Sequence, residues 1–403
     1  MKITGLRIDR HSIPFESVYG PGQGRSANPL DIYEEYDLGQ RNAGLRPASE
    51  SENGILSEYF LVITTDEGIE GVHGPVDYRA QALLILEGLA PHLVGRDPLE
   101  NRLIWDVLSR FERHARSGMM MTAISAVDIA LWDLKGKILG QPVYRLLGGG
   151  RKALRPYVSM LGFSVEPQEA RKWAAKVKGM NVSAQKWFFR YGPAQGAEGM
   201  KKNLALAEAL REELGDGYDL MFDCWMGWDM VYAKEMLRRL EPIHPVWVEE
   251  VLRPHMEDGF KRLKAETNVP LAAGEHLYTR MEVNGYLRDG VFDVMQSDPE
   301  WCGGITEALR IADLCEMYGV RCAPHGHGLL PAMQVVASMP PDICPYVEYL
   351  IRIMDHKTAF FKHRCTIDEN GLLYMNETPG VGEDLDMDKI VKTEAIHQFV
   401  MMP

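Results

Sequence analysis

Three short apolar runs in the middle of the chain each carry an acidic residue towards their end. They are DLMFDCW (residues 219–225), VWVEEVL (246–252) and VPLAAGEH (269–276). The acids Asp223, Glu249 and Glu275 follow one another at intervals of 26 residues. A strand of about 5–6 residues, a helix of about 11–12 and two short loops fill such an interval. Each acid is therefore expected at the equivalent position of successive strands in a repeated strand–helix unit.

Eight apolar runs of this kind follow residue 155, and amphipathic helical patterns separate them. The runs are RPYVSM, AQKWFF, DLMFDCW, VWVEEVL, VPLAAGEH, FDVMQSDP, VRCAPHGH and YVEYL. Continuous apolar character is expected of strands that are covered on both faces. The alternation of strands and helices predicts an α/β fold in the form of a parallel (β/α) barrel. Functional side chains of such a barrel lie at the carboxyl ends of its strands.

The N-terminal part of the chain has a different pattern. Residues 3–9 and 58–65 are predicted strands, and Thr122–Leu139 has the apolar spacing of a helix. A polar stretch of about residues 16–54 separates the two strands, and a loop of this length in a compact domain is usually functional. The expected units are an α+β capping domain over 1–150, a barrel domain over 151–360, and a C-terminal segment, 361–403, that packs back on the cap.

Bulk composition excludes several classes of function. A chain of 403 residues exceeds the usual size of one hydrophobic core, so two structural units are expected. The net charge of -13 argues against a nucleic-acid partner. The sequence has no run of about 20 apolar residues, so no membrane span is predicted. The N-terminus lacks the apolar core of a signal peptide. The six cysteines form no CxxC pair, which favours reduced thiols in a cytoplasmic protein.

The acids at the predicted strand ends point to a metal. Three carboxylates that converge repel one another unless a cation holds them. Oxygen ligands suit Mg²⁺, which keeps its other positions for water or substrate. Asp298 and His325 end the sixth and seventh runs, and Glu348 lies within the eighth. The regular spacing of these polar residues argues against the alternative, in which they are unrelated residues at strand ends on the surface.

The motifs DCW, WVEE, GEH, SDPEWCGG and PHGH, in this order and spacing, resemble the mandelate racemase branch of the enolase superfamily. Within that branch the chain is most similar to acid-sugar dehydratases of the L-rhamnonate dehydratase type. SAVDIALWDLKGK and PVYRLLGG in the N-terminal part are similar as well. The resemblance is strong over about residues 100–350. It implies an enolase-type modified TIM barrel, a capping domain, Mg²⁺ as cofactor and a homo-oligomer.

The resemblance also implies roles for individual residues. Asp223, Glu249 and Glu275 match the metal ligands, whereas Glu250, the next residue on the strand, is expected to point the other way and to support them. His325 matches the general base and Asp298 the acid that orients it. Glu348 matches the residue that donates a hydrogen bond to the enediolate. Independently of the resemblance, a carboxylate beside a histidine favours the imidazolium and fixes its tautomer.

Residues that bind the substrate are less sharply defined. Lys186 matches the first lysine of a Lys-x-Lys motif, and it either binds the substrate carboxylate or pairs with an acid. Phe188 replaces the second lysine. His276 and His327 flank the motifs and are candidates for contacts with substrate hydroxyls. Arg41, in the polar stretch of the cap, falls near a substrate-binding arginine of the resembling dehydratases.

The predicted reaction is dehydration of an acid sugar to a 2-keto-3-deoxy acid, with His325 as base. One alternative is a racemase, epimerase or cycloisomerase of the same superfamily. A second is a non-catalytic barrel that binds a sugar acid, although binding alone does not need the Asp298–His325 pair. A third, a divalent-metal hydrolase, would use histidine ligands or a bridged two-metal site.

Overall fold

The computed structural model describes residues 1–37, 54–76 and 80–400. The strands are β1 (Ile3–Pro14), β2 (Ile55–Thr65), β3 (Glu70–His73), β4 (Ala153–Leu154), β5 (Pro156–Ser159), β6 (Ala184–Phe188), β7 (Asp219–Asp223), β8 (Val248–Glu249), β9 (Leu271–Ala273), β10 (Val294–Met295), β11 (Arg321–Cys322), β12 (Val347–Leu350), β13 (Leu373–Tyr374) and β14 (Lys392–Val400).

Helices connect and cover these strands. They are α1 (Glu34–Asp37), α2 (Gln81–Leu83), α3 (Asn101–Phe111), α4 (Gly118–Leu139), α5 (Val143–Leu146), α6 (Pro167–Lys178), α7 (Gly196–Leu214), α8 (Met230–Leu240), α9 (Glu257–Glu266), α10 (Thr279–Arg288), α11 (Gly304–Tyr318), α12 (Leu329–Ser338) and α13 (Ile351–Lys357). A π-helical turn, Leu84–Leu89, follows α2. None of the helices in these described ranges has the length and apolarity needed to cross a bilayer.

Strands β5 to β12 form one parallel sheet. Its order is β11-β10-β9-β8-β7-β6-β5-β12, so the last strand of the series pairs with the first, as barrel closure requires. The backbone N–H of Cys322 in β11 donates to the carbonyl oxygen of Ile343, in the connection that precedes β12, at 2.8 Å. The predicted (β/α) barrel is confirmed.

The interior of the barrel is filled below the strand ends. Each of the eight strands contributes one residue, from within it or directly beside it, to a separate buried apolar cluster. The members are Tyr157, Ala184, Met221, Trp247, Ala272, Val294, Ala323 and Tyr346. Such a layer makes the barrel a packed core and not a pore. The acids at the carboxyl ends of the strands therefore lie next to a layer of buried apolar side chains.

The cap is built on an antiparallel sheet of order β14-β1-β2-β3. The C-terminal strand β14 pairs along β1, so the end of the chain completes the sheet that the beginning starts. One face of this sheet packs on α3 and α4 in a hydrophobic core of its own. The predicted strands at 3–9 and 58–65 correspond to β1 and β2, and the predicted helix at 122–139 corresponds to α4.

The cap and the barrel meet where α4 packs on the start of α11. Asp128 accepts hydrogen bonds from the backbone N–H and the hydroxyl of Thr306, at 2.9 and 2.6 Å. Trp132 donates from Nε1 to the same hydroxyl at 2.8 Å, and Ser125 accepts from the N–H of Gly303 at 2.9 Å. Asp128 and Ser125 thus satisfy N–H groups around the first turn of α11, which have no partners within the helix. Two motifs far apart in sequence, SAVDIALW and WCGGIT, are joined by these bonds.

Asp128 gives this junction a pH dependence. Burial raises the pKa of Asp128 from 3.8 to about 7, so the folded chain retains a proton that the unfolded chain releases. The contribution of this proton to the stability of the folded chain is fully present below about pH 4 and is lost as the pH rises to about 7. Over this range the free energy of unfolding of the wild type should fall, relative to that of Asp128→Asn, by up to about 1.4 kcal/mol per pH unit. Urea unfolding of both proteins at several pH values measures this difference, and parallel curves would contradict it.

Candidate active site

The polar residues predicted at the strand ends converge at one end of the barrel. Asp223 ends β7, Glu249 ends β8, and Glu275 follows β9 after the turn at Gly274. All three acids are buried. Burial raises the pKa of Asp223 to about 6 and that of Glu275 to about 8, and it raises the pKa of Glu249 well above its usual range. A cation bound to these oxygens would allow all three to ionise together.

Lys186 supplies one such positive charge. Its Nζ lies 2.6 Å from Oε1 of Glu249, 2.8 Å from Oε1 of Glu348 and 3.2 Å from Oδ2 of Asp223. Burial opposes the charge, but the neighbouring carboxylates raise the pKa of Lys186 well above its usual range. Of the two interpretations of Lys186, pairing with acids is therefore the one observed, and a contact with the substrate carboxylate stays a prediction.

His325 and Asp298 form the predicted dyad. Nδ1 of His325 lies 2.7 Å from Oδ2 of Asp298, whose Oδ1 accepts a hydrogen bond from the N–H of Glu300 at 2.7 Å. The other ring nitrogen, Nε2, faces Oε2 of Glu275 at 3.5 Å and Oε2 of Glu348 at 4.0 Å. Burial disfavours the imidazolium, but Glu275 and Asp298 raise the pKa of His325 to about 10. The dyad thus presents one ring nitrogen to the group of acids.

Glu348 lies between the lysine and the histidine. Its Oε2 accepts a hydrogen bond from the N–H of Gly326 at 2.8 Å, while Oε1 faces Lys186. Burial alone would raise the pKa of Glu348, but Lys186 and His325 hold it at about 2. The carboxyl group is ionised in this arrangement and acts as an acceptor. The donor role that the resemblance implies therefore stays a prediction.

The sequence suggested that Glu250 points away from the other acids, and the structure shows that this expectation is wrong. Strand β8 ends at Glu249, and Glu250 has a left-handed φ of 45°, so the alternation of a strand no longer governs its side chain. One oxygen of Glu250 bonds to Nδ1 of His276 at 2.8 Å, and the other is buried without a hydrogen-bond partner among the described residues. Ligand atoms of Glu250, Glu275 and His276 lie within 4.8 Å of one another, close enough to hold a metal ion.

His276 contacts two of the acids, Glu250 and Glu275. Burial opposes its charge, but the hydrogen bond with Glu250 and the charge of Glu275 raise the pKa of His276 to about 9. Its Nδ1 lies 3.5 Å from Oε1 of Glu275. A contact of His276 with a substrate hydroxyl stays a prediction.

Comparisons with known proteins agree with this geometry. The model of the mandelate racemase / muconate lactonizing enzyme N-terminal domain matches residues 52–148. The model of the enolase C-terminal domain-like family matches residues 168–389, more than half of the chain. The chain belongs to the mandelate racemase branch of the enolase superfamily. The sequence-based recognition of this branch is confirmed.

Sequence relatives of this enolase-superfamily chain carry a dehydratase name. An L-rhamnonate dehydratase from Saccharopolyspora erythraea is 30% identical over 371 residues, which are 89% of this chain and 89% of that one. A Caldivirga maquilingensis protein, to which the same activity is given provisionally, is 31% identical over 379 residues, 92% of this chain and 89% of that one.

Solved structures of the superfamily are similar over almost the whole chain. Rhamnonate dehydratase from Gibberella zeae, complexed with Mg, is 26% identical with a TM-score of 0.79 and covers 96% of this chain and 95% of that one. L-Talarate dehydratase from Polaromonas sp. JS666, complexed with Mg and L-glucarate, is 26% identical with a TM-score of 0.74 and coverages of 99% and 99%. A 3,6-anhydro-D-galactonate cycloisomerase from Zobellia galactanivorans is 26% identical with a TM-score of 0.76 and coverages of 97% and 100%.

These relatives are named as enzymes, and the expectation of an enzyme is confirmed at the level of the superfamily. Dehydratases predominate among the relatives cited above, which supports acid-sugar dehydration as the general activity. The cycloisomerase has the same fold, so the reaction of this superfamily member has to be argued from its own site.

The described part of the polar cap stretch lies across the strand ends of the barrel. The N–H of Ala27 donates to the carbonyl oxygen of Phe189, just after β6, at 2.7 Å. Arg190 bonds to Oδ2 of Asp31 at 3.2 Å and to Oδ1 of Asp37 at 2.9 Å. The cap segment is therefore fastened to the barrel beside the acids. Arg41, the predicted substrate-binding residue, lies outside the described residues.

Arg190 should matter for substrate binding without touching the metal. Arg190→Met removes two charged hydrogen bonds that hold the cap segment, so the KM for acid sugars should rise about tenfold. Arg25→Met is the matched control, because Arg25 also pairs with Asp31 at 2.7 Å but belongs to the cap segment itself. Its effect on KM should be smaller. Steady-state kinetics, with Mg²⁺ affinity measured in parallel, test this, and an unchanged KM in Arg190→Met would contradict it.

One group of contacts was not predicted from the sequence. The ring of Trp301 lies 4.9 Å from that of His325, 5.4 Å from that of His327 and 5.6 Å from that of His276. His327 bonds through Nδ1 to Glu300 at 2.5 Å. The interval of 27 residues between Glu300 and His327, which equals that between Asp298 and His325, was the signal that could have found this pair.

Proposed function

We propose that the protein is a Mg²⁺-dependent hydro-lyase that converts an acid sugar, an aldonate or a related compound, into a 2-keto-3-deoxy acid. The observation that carries the proposal is a single His–Asp dyad whose free ring nitrogen faces a buried group of carboxylates. The named activities of its relatives support this class of reaction.

The carboxylates fit a divalent cation. Asp223, Glu249 and Glu275 offer hard oxygen ligands at the ends of three adjacent strands. Burial raises their pKa values, and a bound cation would offset that effect and favour the ionised carboxylates. We assign the metal to these three. Mg²⁺ bound there would hold the substrate carboxylate and stabilise the negative charge that develops when the α-proton leaves.

His325 is the residue that takes the α-proton. Asp298 accepts the Nδ1–H hydrogen bond and thereby leaves Nε2 as the basic nitrogen. Removal of the proton gives an enediolate, and its electron pair can expel the hydroxyl group on the neighbouring carbon. The enol that results takes a proton at C3 to become the keto acid. A protonated His325 is one source of the acid that the leaving hydroxyl requires.

The second barrel strand argues for dehydration over racemisation. Inversion through an enediolate needs a second group that returns the proton to the opposite face. Phe188 occupies the position of a second lysine and cannot carry a proton. Nζ of Lys186, the lysine that remains, is enclosed and bonded to acids. Among the described residues of this strand we find no free base for the other face.

Turnover in D₂O tests the proposal. L-Rhamnonate is the first substrate to examine because it is the one named for the sequence relatives, followed by a panel of other aldonates. Dehydration gives the 2-keto-3-deoxy acid with deuterium at C3. A C2 epimer with deuterium at C2 and no keto acid would contradict dehydration and identify Lys186 as a second base. A cyclised isomer without loss of water would indicate a cycloisomerase.

A further inference from the structure

The ends of β10 and β11 carry two histidine–carboxylate pairs of the same design. In the first, Nδ1 of His325 lies 2.7 Å from Oδ2 of Asp298, and in the second Nδ1 of His327 lies 2.5 Å from Oε2 of Glu300. Each member of the second pair follows its counterpart by two residues. The two imidazole rings are parallel to within 3°, with centroids 6.5 Å apart. The second dyad thus repeats the arrangement of the first, two residues further along each of the two loops that follow the strands.

The protonation of the second dyad is set by an ionised Glu300. Burial alone would raise the pKa of Glu300, but Lys357 and His327 hold it well below its usual range. Nζ of Lys357 bonds to both carboxylate oxygens, at 2.8 and 2.9 Å, and to the carbonyl oxygen of His327 at 2.7 Å. An ionised carboxylate accepts only, so Nδ1 of His327 must be the donor. Nε2 of His327 is left for another partner.

The surroundings of His327 differ from those of a structural histidine. Its side chain is 37% exposed, against 10% for His325, although Glu300 is buried. Among the residues that the structure describes, no hydrogen-bond partner is found for Nε2 of His327. Trp301 contacts both rings and keeps them in register. A rigid, oriented imidazole with one accessible nitrogen is suited to act on a bound molecule.

We propose that His327, oriented by Glu300, is a second acid/base that protonates the departing β-hydroxyl of the acid sugar while His325 acts as the base. The inference rests on the proposed dehydration. A proton-transfer reach of roughly 3 Å on each side allows two rings 6.5 Å apart to act on adjacent atoms of one substrate.

A reaction with His325 as base and His327 as acid balances in protons and electrons. Nε2 of His325 takes the C2 proton, and the pair of the broken C–H bond forms the enediolate. This pair then forms the C2–C3 double bond as the C3–O bond breaks, and Nε2–H of His327 passes its proton to the oxygen, which leaves as water. His325 ends protonated and His327 neutral. Exchange with solvent resets both, and the enol takes a solvent proton at C3.

The decisive experiment compares a poor and a good leaving group in His327→Gln. Hydroxide needs an acid to depart from L-rhamnonate, whereas fluoride in 3-deoxy-3-fluoro-L-rhamnonate does not. On L-rhamnonate kcat should fall about 100-fold or more, within the range of general-acid catalysis. On the fluoro compound it should fall less than about tenfold. In D₂O, L-rhamnonate recovered from the variant should carry deuterium at C2, because His325 still removes that proton.

Controls separate the role of His327 from folding and from the proposed function. His325→Asn should lose turnover of both compounds, because fluoride does not replace the base. His327→Asn is the second variant if His327→Gln does not fold, as judged by its unfolding temperature. Equal losses of kcat on both compounds, or a change in KM alone, would overturn the assignment of His327 and leave dehydration intact. If wild-type protein forms no keto acid from L-rhamnonate, the comparison is made with the aldonate of the panel that it does convert and the 3-fluoro analogue of that aldonate. Absence of keto acid from wild-type protein with every aldonate of the panel would overturn the proposed function and the role of His327 with it.

Discussion

Replacing His325 with asparagine is expected to lower kcat by about 1,000-fold or more while the protein still binds Mg²⁺ and acid sugar. General-base catalysis typically contributes about 100- to 10,000-fold, and every later step of the proposed reaction depends on the removal of the C2 proton by His325. Asparagine retains a polar side chain that can bond to Asp298 but has no basic nitrogen. The measurement is the initial rate of keto-acid formation at saturating substrate.

A control experiment for His325→Asn identifies the step of the reaction that is lost. Deuterium exchange at C2 in D₂O should vanish together with product formation, because both begin with removal of the same proton. His327→Gln should lose product and keep exchange. If His325→Asn kept the exchange, the base would have to be another residue, and Lys186 would be the first to examine.

Replacing the predicted metal ligands should have the second large effect. Asp223→Asn, Glu249→Gln and Glu275→Gln are each expected to weaken Mg²⁺ binding about 100-fold or more, since even the loss of residues that only support ligands costs about 10- to 100-fold. The barrel should still fold, because asparagine and glutamine keep the size and one acceptor oxygen of the acids that they replace, and Lys186 keeps Glu348 as a charged partner. Titration calorimetry measures the affinities.

Glu250→Gln is the matched control for the metal site. Glutamine keeps an oxygen for the bond to His276, and Mg²⁺ affinity should change less than about threefold if the metal belongs to Asp223, Glu249 and Glu275. The structure also brings Glu250, Glu275 and His276 within metal-binding distance of one another. A large loss in Glu250→Gln with normal affinity in Asp223→Asn would move the ion to this neighbouring group and contradict our assignment.

The sequence by itself predicted the barrel and the set of acids at its strand ends. The reason is that one strand–helix unit has a nearly constant length, so residues such as Asp223 and Glu249 at equal spacing must reach equivalent positions. Asp298 and His325 obey the same rule and form the predicted dyad. Apolar runs without alternation were sufficient to predict that the strands of the barrel are parallel and covered on both faces.

Side-chain direction beyond a strand end could not be predicted in this way. The sequence suggested that Glu250 faces away from Glu249, but β8 stops at Glu249 and a left-handed φ turns Glu250 towards His276. The two-residue period holds only while the backbone is extended. Where a strand ends depends on its neighbours in the sheet, and a single sequence does not contain that information directly.

Partners that come from distant parts of the chain were decided only by the tertiary structure. Lys186 faces acids from three other strands, and the sequence left open whether it binds substrate or an acid. Arg190 holds the cap segment through Asp31, more than 150 residues away. Long side chains choose among several partners within reach, and burial makes the choice, because a charge removed from water must be paired where the fold brings an opposite charge.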